Sequence, residues 1–426
     1  MQTIILLLAI GLCAGVIGFL LFRASPRLTF VVWALVLFFV PVWIGATVGF
    51  FWAAATGITL VAVVATARSL RLTSVDALVA GFAVLMLGLF VLRLVSLSDA
   101  VIAILEWVLP YAWGRVVLAR VPGGFVIRVI AAVATVAAAL ALMEFATGTN
   151  PFVLLPAMGG SYEVWAPLQP RGGFLRVEGA FGHSIALGAA LAMSSAFVLA
   201  AKWATPLKVI ALAVITGAVV ATFSRIGLVT LVLTAALSIF TLPEITRRTR
   251  IAIGVVGVVA AAIIVPFISD VFLDAGQEAA GSADYRTDLL TLLTQVKLLG
   301  AAGDWQDLTV GGTYLGYFAN SIDNALIVMA LRYGAIPTLL LVATMVVVAV
   351  RCLIPGRANP ASVAVAAQLP SLLAVALITQ YGMYFWFMVG LAVAWDVERV
   401  ARDQDPTRAH EQTDAVARSS RYASSP

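Results

Sequence analysis

The chain has 426 residues, of which 62% are hydrophobic and only 11% are charged. A soluble domain carries roughly 25% charged residues, so a soluble fold of this size could not hide so much apolar surface, and we expect the solvent to be a lipid bilayer. The net charge of +5 could suggest a nucleic-acid partner, but the basic residues stand in short clusters between long apolar runs. That arrangement is typical of membrane topology and argues against nucleic acid.

Thirteen apolar runs predict an all-α, polytopic membrane protein with about thirteen transmembrane helices, because lipid offers backbone groups no other partners. The runs lie near residues 3–22, 28–45, 48–67, 75–95, 100–117, 125–145, 184–201, 209–222, 226–242, 251–268, 324–350, 361–379 and 382–396. The first run has no basic segment before it and no small-residue cleavage site after it, which favours a retained span over a removable signal peptide.

Basic residues recur at alternate loops, and thirteen spans put all of these clusters on the cytoplasmic side of the cell inner membrane. We therefore expect one transmembrane domain over residues 1–396, with an outer amino terminus, and a disordered cytoplasmic tail over 397–426. Cys13 and Cys352 should lie at different depths, so neither a disulfide nor a thiolate metal site is expected.

Two predicted extracytoplasmic loops are much longer than the rest, at about 146–183 and 270–323. The first is rich in Gly, Pro and aromatic residues, which suits an irregular segment packed over the helix ends. In the second, leucines at helical spacing predict a helix along the outer membrane surface, capped by Ser282 and stopped at Gly300.

Basic residues in membrane proteins are usually concentrated in cytoplasmic loops, but four arginines fall on the predicted outer side: Arg171, Arg176, Arg225 and Arg286. Arg225 stands in ATFSRIGL, at the outer turn of a tight helical hairpin. An arginine there can bind a lipid-linked phosphate or diphosphate through bidentate hydrogen bonds. The plainer alternative is that each arginine reaches to lipid headgroups.

Charged residues inside predicted spans are a second indication of a polar site, because they are costly in lipid. Arg93, Glu106 and Arg332 all fall in the outer halves of their spans. A water-filled cavity that opens outward would explain them, and so would buried structural ion pairs, for instance between Arg93 and Glu106.

The chain has only two histidines, so a multi-histidine metal site is excluded, and its loop carboxylates form no paired metal-binding motif. We expect no metal and no cofactor. His183, which opens a predicted span, could act as general base or contact a phosphate, or could simply be a polar helix-end residue. Asp323 and Asn324 could be a general base and a sugar-orienting amide, or helix-capping groups.

Four segments in this order resemble the O-antigen ligase and polymerase superfamily of bacterial membrane glycosyltransferases. They are RxxGxFGHS from Arg176, SRxGL from Ser224, YRxxLL from Tyr285 and DNxxxxxxxxYG from Asp323, and the resemblance covers roughly residues 125–350. It implies a metal-independent enzyme that acts outside the membrane on a polyprenyl-diphosphate-linked glycan. The glycan would pass to another lipid acceptor or to a growing glycan chain.

The resemblance also implies roles for residues. Arg176, Arg225 and Arg286 would stand beside the leaving diphosphate, where negative charge builds up. Many members of the superfamily have a histidine where this chain has Asp323, so the general base is Asp323 or His183. That departure favours a polymerase or a ligase-like transferase over a true lipopolysaccharide ligase.

Two other classes of protein fit the same outer charges. A transporter or flippase for a lipid-linked or anionic substrate would also need an arginine-lined cavity, but the chain lacks the two similar halves common in transporters. A non-catalytic scaffold in polysaccharide assembly is the third alternative, although a scaffold would not need four outward arginines.

Overall fold

The computed structural model describes residues 15–68, 70–155, 160–171, 173–255, 257, 289–303, 309–310, 313–314, 322 and 324–404. These residues are mostly helical. The helices are α1 Gly15–Ala24, α2 Pro26–Phe39, α3 Ala54–Thr66, α4 Ser74–Val91, α5 Leu97–Val101, α6 Leu109–Val117, α7 Gly123–Thr147, α8 Gly160–Trp165, α9 Ser184–Ala200, α10 Thr205–Ala221, α11 Arg225–Thr241, α12 at 247–255, α13 Ala325–Tyr333, α14 Ala335–Leu353, α15 Pro360–Gln368 and α16 Thr379–Gln404.

Shorter elements complete the described chain. A π-helical segment, Ile102–Val108, joins α5 to α6 in one continuous helix. Four 3-10 turns lie at Pro151–Leu154, Gly179–Phe181, Leu290–Gln295 and Leu369–Leu373. Six short strands form three antiparallel hairpins: β1 Gly45–Val48 with β2 Phe50–Ala53, β3 Pro170–Arg171 with β4 Phe174–Leu175, and β5 Thr309–Val310 with β6 Thr313–Tyr314.

Four helices of the described chain are long and apolar enough to cross a membrane: Ser74–Val91, Leu97–Val117, Gly123–Thr147 and Ala335–Leu353. A fifth span results if α1 and α2, between which the chain bends by 119°, count as one broken helix. Five further apolar helices have 10–17 residues, and 17 residues rise only about 26 Å against roughly 30 Å of hydrocarbon. The predicted helical fold with helices able to cross a membrane is confirmed to this extent, and the count of thirteen spans stays a prediction.

The helices alternate in direction between two ends of a bundle. At one end, which we call the loop end, lie residues 92–96, 148–155, 173–183 and 222–224. There, for example, the Val177 N–H donates to the Ala221 carbonyl at 3.3 Å. At the other, the arginine end, lie residues 70–73, 118–122 and 354–359. There Arg115 donates to the Arg71 carbonyl at 2.9 Å, and Arg399 donates to the Ala358 carbonyl at 3.4 Å.

Helix α9 lies at the centre of the bundle. Every residue from Ala186 to Ala200 is buried, and most are Ala, Gly or Ser, which lets neighbouring helices approach closely. It packs against α7, α10, α11, α15 and α16. This helix fixes where His183 and the preceding loop sit, because it begins at Ser184.

A second packing centre joins α6 and α16 through glycines. A Cβ added at Gly390 would lie 2.1 Å from the Tyr111 carbonyl oxygen, and one at Gly114 would lie 2.2 Å from that of Phe387. The two backbones are therefore in direct contact. Beside them the Trp33 and Phe387 rings lie 4.2 Å apart, so large aromatics surround the small residues.

At the arginine end, Asp76 in the first turn of α4 organises a buried polar group. Its carboxylate accepts hydrogen bonds from Arg115 Nε at 2.6 Å and from Tyr111 Oη at 2.7 Å. It also forms a reciprocal capping box with Thr73. The charge of Arg115, which is 3% exposed, is therefore compensated within the bundle.

The structure differs from the predicted spans at residues 40–53. The runs 28–45 and 48–67 predicted two long helices, but α2 ends at Phe39 and β1–β2 precedes α3. Pro41 cannot continue an α-helix, and Gly49 has φ +76°, which suits a hairpin turn. The helical part of each predicted span is correspondingly shorter.

The predicted span 324–350 is broken at Gly334, which has φ +95°. Asn324 at the start of α13 donates to the Leu373 carbonyl at 3.2 Å, and at the far end of α13 the Tyr333 carbonyl accepts from Gly300. Ala301 in turn donates to the Leu94 carbonyl, at the loop end. The start of α13 thus contacts the Leu369–Leu373 turn and its end contacts the segment at 297–301, and of the two helices only α14 is long enough to cross a membrane.

The predicted surface helix also differs. Its start at Ser282 lies outside the described residues. From Leu290 to Gln295 the chain forms a 3-10 turn, and Val296 is extended, so the helical prediction is wrong over 296–299. This stretch instead pairs with the break between α13 and α14: Ala335 donates to the Lys297 carbonyl at 2.8 Å.

Most of the predicted tenth span (251–268) and of the predicted tail (397–426) also lies outside the described residues, as does Cys13. Residues 397–404 belong to α16, so the start of the predicted disordered tail is helical. Cys352 is buried near the end of α14.

Candidate functional site at the loop end

The first long loop folds back onto the end of α7. The Glu144 carboxylate of α7 accepts hydrogen bonds from the backbone N–H groups of Glu178 and Gly179, each at 3.0 Å. Asn150 donates to the Gly179 carbonyl at 3.1 Å, and Gly179 takes φ +53°. These contacts fix the segment that carries two of the predicted site residues, Arg176 and His183.

Arg176 lies against the turn between α10 and α11. Its side chain is buried, and Nε donates to the Thr222 carbonyl at 2.9 Å. Phe174 and Phe223 stack at 5.5 Å beside this contact. Arg176 is therefore held on the hairpin that carries Arg225.

Arg225 is the first residue of α11 and is exposed at the loop end. Ser224 caps the helix by accepting from the Gly227 N–H at 3.1 Å, and Phe223 takes φ +47° to make the tight turn. An arginine at a helix start, with its side chain in solvent, can reach an anionic group that approaches this end. The structure thus brings the predicted Arg176 and Arg225 to the same hairpin.

His183 precedes α9 as its N-cap residue, and its Nδ1 atom is buried without a hydrogen-bond partner among the described residues. The ring stands edge-on to Trp165 at 6.3 Å. Burial, and then the charge of Arg176, lower the pKa of His183 to about 4. The imidazole is therefore neutral at physiological pH and has the protonation state of a base.

Glu178, between Arg176 and His183 in the sequence, is fully buried. Its Oε1 accepts from the Gln169 N–H at 3.3 Å, whereas Oε2 has no hydrogen-bond partner within the described chain. Burial raises the pKa of Glu178 to about 7, although the Gln169 N–H and Arg176 favour the charged form. Glu178 can therefore hold or release a proton near neutral pH.

The sequence analysis missed Glu178 and Glu144. Glu144 stands at the end of a predicted span, where an acidic residue is itself a signal of a polar site. Glu178 stands inside the RVEGAFGHS segment, and only the fold shows that the Glu144 carboxylate binds the backbone N–H groups of Glu178 and Gly179.

A second polar cluster occupies the contact between α13 and α5. Arg332 Nε lies 3.0 Å from Asp99 Oδ1, and Tyr333 Oη donates to the Asp99 carbonyl at 3.1 Å. The sequence analysis offered Arg93 with Glu106 as an example of a buried ion pair. Instead Arg93 is exposed just beyond α4, with φ +58°, and the buried pair joins Arg332 to Asp99.

Asn324 caps α13. Its Oδ1 accepts from the N–H groups of Leu326 and Ile327 at 3.0 and 3.1 Å, which is the capping alternative of the two left open by the sequence. The 3-10 turn Leu369–Leu373 contacts both α13 and α11, so Asn324 is one element away from the helix that begins at Arg225.

The remaining predicted site residues lie wholly or partly outside the described residues. Asp323 and Arg286 lie outside the described residues. Arg171 pairs through its backbone with Phe174 in the β3–β4 hairpin, and its side chain is likewise not among those described. Among described residues, no three His, Cys, Asp or Glu side chains come close enough to hold a metal ion.

Fold and site together define a mostly helical protein with helices that could cross a membrane and a polar cluster at one end. Comparison of the chain with family models, with curated proteins and with solved structures finds no match.

Proposed function

We propose that the protein is a membrane glycosyltransferase of the O-antigen ligase or polymerase type. It would transfer or polymerise a glycan carried on a polyprenyl diphosphate at the extracytoplasmic face of the inner membrane. The observation that carries the proposal is the bond from Arg176 to the Thr222 carbonyl, because it holds one arginine on the turn that precedes Arg225. Arg176, whose charge acts on the neutral His183, and Arg225 at the adjoining helix start suit a reaction that expels a diphosphate.

The reaction breaks the bond between the first glycan carbon and the diphosphate oxygen and forms a glycosidic bond to an acceptor hydroxyl. The polyprenyl diphosphate leaves with the electron pair, and arginines stabilise the charge that develops on it. The acceptor proton passes to a base, which is Asp323 or His183. The pKa of His183 is lowered to about 4, so its imidazole is neutral at physiological pH but is a weak proton acceptor.

The distribution of charge supports an outward loop end. Arginines concentrate at the opposite end, for instance Arg71, Arg115 and Arg357, and basic loops favour the cytoplasmic side. In a thirteen-span topology the loop end then faces away from the cytoplasm. Lipid-linked glycans are assembled into surface polysaccharide on that outer side of the membrane.

The test replaces Arg225 and Asp323 separately by Ala and follows the length and attachment of cell-surface polysaccharide. Arg93→Ala is the matched control, because Arg93 is exposed at the same end and its side chain makes no hydrogen bond or salt bridge to a described residue. We expect loss of long glycan in both Ala variants and no change in the control, at equal protein levels in the membrane. Normal surface glycan in both Ala variants would refute the catalytic proposal.

A second measurement separates transfer from transport. Purified protein is mixed with a total lipid extract from cells that lack this protein, which supplies both the glycan-loaded polyprenyl diphosphate and the acceptor lipids, and the released polyprenyl diphosphate is quantified. A transferase releases it, whereas a flippase moves the intact lipid and releases none. In cells, loss of long chains with retention of single units would identify a polymerase.

A further inference from the structure

The arginine end contains a cavity of about 500 Å³, far from the candidate site. It lies where the loop before α4, the loop after α14 and the end of α16 meet. Its charged lining consists of Arg71, Arg351, Arg357, Arg399 and a single carboxylate, Asp396. The cavity wall therefore carries a net charge of +3, and neither the proposed reaction nor any sequence motif accounts for it.

The arginines of this cavity are engaged to different degrees. Arg351 lies 3.5 Å from Asp396, and Arg399 donates to the backbone carbonyls of Gly356 and Ala358. Arg71 and Arg357 are exposed, and neither side chain makes a hydrogen bond or salt bridge to another described residue. Two of the guanidinium groups are thus fixed in the wall, whereas the side chains of Arg71 and Arg357 are not held by hydrogen bonds to described residues, although Arg357 lies close enough to Asp396 for their charges to interact.

An apolar surface leads to the cavity along α14. Leu339, Val346, Val350 and Leu353 are 44 to 64% exposed, and their spacing of seven, four and three residues places them on one helix face. Helix α14 packs against α4, and both are among the helices able to cross a membrane. An amphiphile could therefore place its apolar part along α14 and its head in the cavity.

We propose that this cavity binds the phosphate headgroup of an anionic phospholipid whose acyl chains lie along the exposed face of α14. Guanidinium groups bind phosphate oxygens in bidentate geometry, and basic residues at a membrane surface attract anionic lipids. A soluble phosphate would bind the same arginines but has no acyl chains to contact the apolar face of α14. The proposal does not depend on the glycosyltransferase activity.

The experiment uses the purified full chain in neutral detergent, incubated with phosphatidylglycerol or phosphatidylcholine and examined by native mass spectrometry. We expect the protein to retain phosphatidylglycerol in preference to phosphatidylcholine. Each arginine near an anionic surface strengthens binding about five-fold, so R71Q/R357Q should bind phosphatidylglycerol about thirty-fold more weakly.

The matched control is R120Q/R248Q, which removes two exposed arginines from the same end but outside the cavity. It should bind like the wild type. Equal retention of the two lipids by the wild type, or equal weakening in the two double variants, would overturn the proposal. If R71Q/R357Q fails to fold, the single variants R71Q and R357Q replace it, and each should bind phosphatidylglycerol about five-fold more weakly.

Inorganic phosphate distinguishes the two sources of the anion. If it displaces phosphatidylglycerol at matched concentration, the cavity takes a free anion and the headgroup proposal is wrong. If phosphatidylglycerol stays bound in the presence of inorganic phosphate, the result supports a contribution of the apolar α14 face to binding.

Discussion

Replacing Gly390 by Ala tests the packing of α6 against α16. The new methyl carbon would lie 2.1 Å from the Tyr111 carbonyl oxygen, whereas ordinary van der Waals contact begins at 3.4 Å, so the helices must separate by about 1.3 Å locally. The obstacle is backbone and cannot rotate away. Overpacking of this kind costs about 1 to 3 kcal/mol, and we expect the upper end of that range.

The assay is thermal unfolding of the purified protein in detergent, with Gly81→Ala as the matched control. Gly81 lies within α4 with nothing within 4 Å of the added carbon, so Ala should leave stability unchanged or raise it by up to about 1 kcal/mol. Gly114→Ala should destabilise like Gly390→Ala, and the double variant should cost less than the sum because one separation relieves both clashes. A wild-type melting temperature for Gly390→Ala would refute this account of the packing.

Two further predictions concern buried charge. Asp76→Ala should destabilise the protein by about 3 to 5 kcal/mol in the same assay, because buried Arg115 loses its carboxylate, whereas Ala at the exposed Glu163 should have little effect. A melting temperature for Asp76→Ala as high as for Glu163→Ala would contradict this. Because the pKa of Glu178 is raised, its contribution to the free energy of unfolding falls as pH rises from about 4.5 to 7. Because the pKa of His183 is lowered, its contribution rises with pH from about 4 to 6.5. Between pH 4.5 and 6.5 the melting temperature should therefore fall with pH in His183→Gln and rise with pH in Glu178→Gln, and it should vary least in the wild type. Parallel curves of melting temperature against pH for all three proteins would exclude opposing contributions of the two residues.

Long apolar runs were the most predictable part of the fold. The runs 75–95, 125–145 and 184–201 correspond to α4, α7 and α9, because a helix pairs its own backbone groups and needs no distant partner. The break at Gly334 was not predictable in the same way. It depends on the segment at Lys297–Gly300, which the fold brings against it.

The candidate site was predictable only in part. The sequence indicated Arg176 and Arg225 only because basic residues are uncommon in outer loops. The structure brings their segments together through Thr222. The meeting of Glu144 with the Glu178 turn and the pairing of Arg332 with Asp99 join residues far apart in sequence. No periodicity or local motif encodes such contacts, so the sequence identified the arginines but not the carboxylates beside them.

The pairing of Lys297–Ala302 with the α13–α14 break has a consequence for the order of synthesis. Backbone groups exposed at a helix break need partners before they enter lipid, and here Ala335 and Ile336 donate to the Lys297 and Leu298 carbonyls. The accepting segment leaves the ribosome before α14 does. The break can therefore be paired before α15 and α16 are translated.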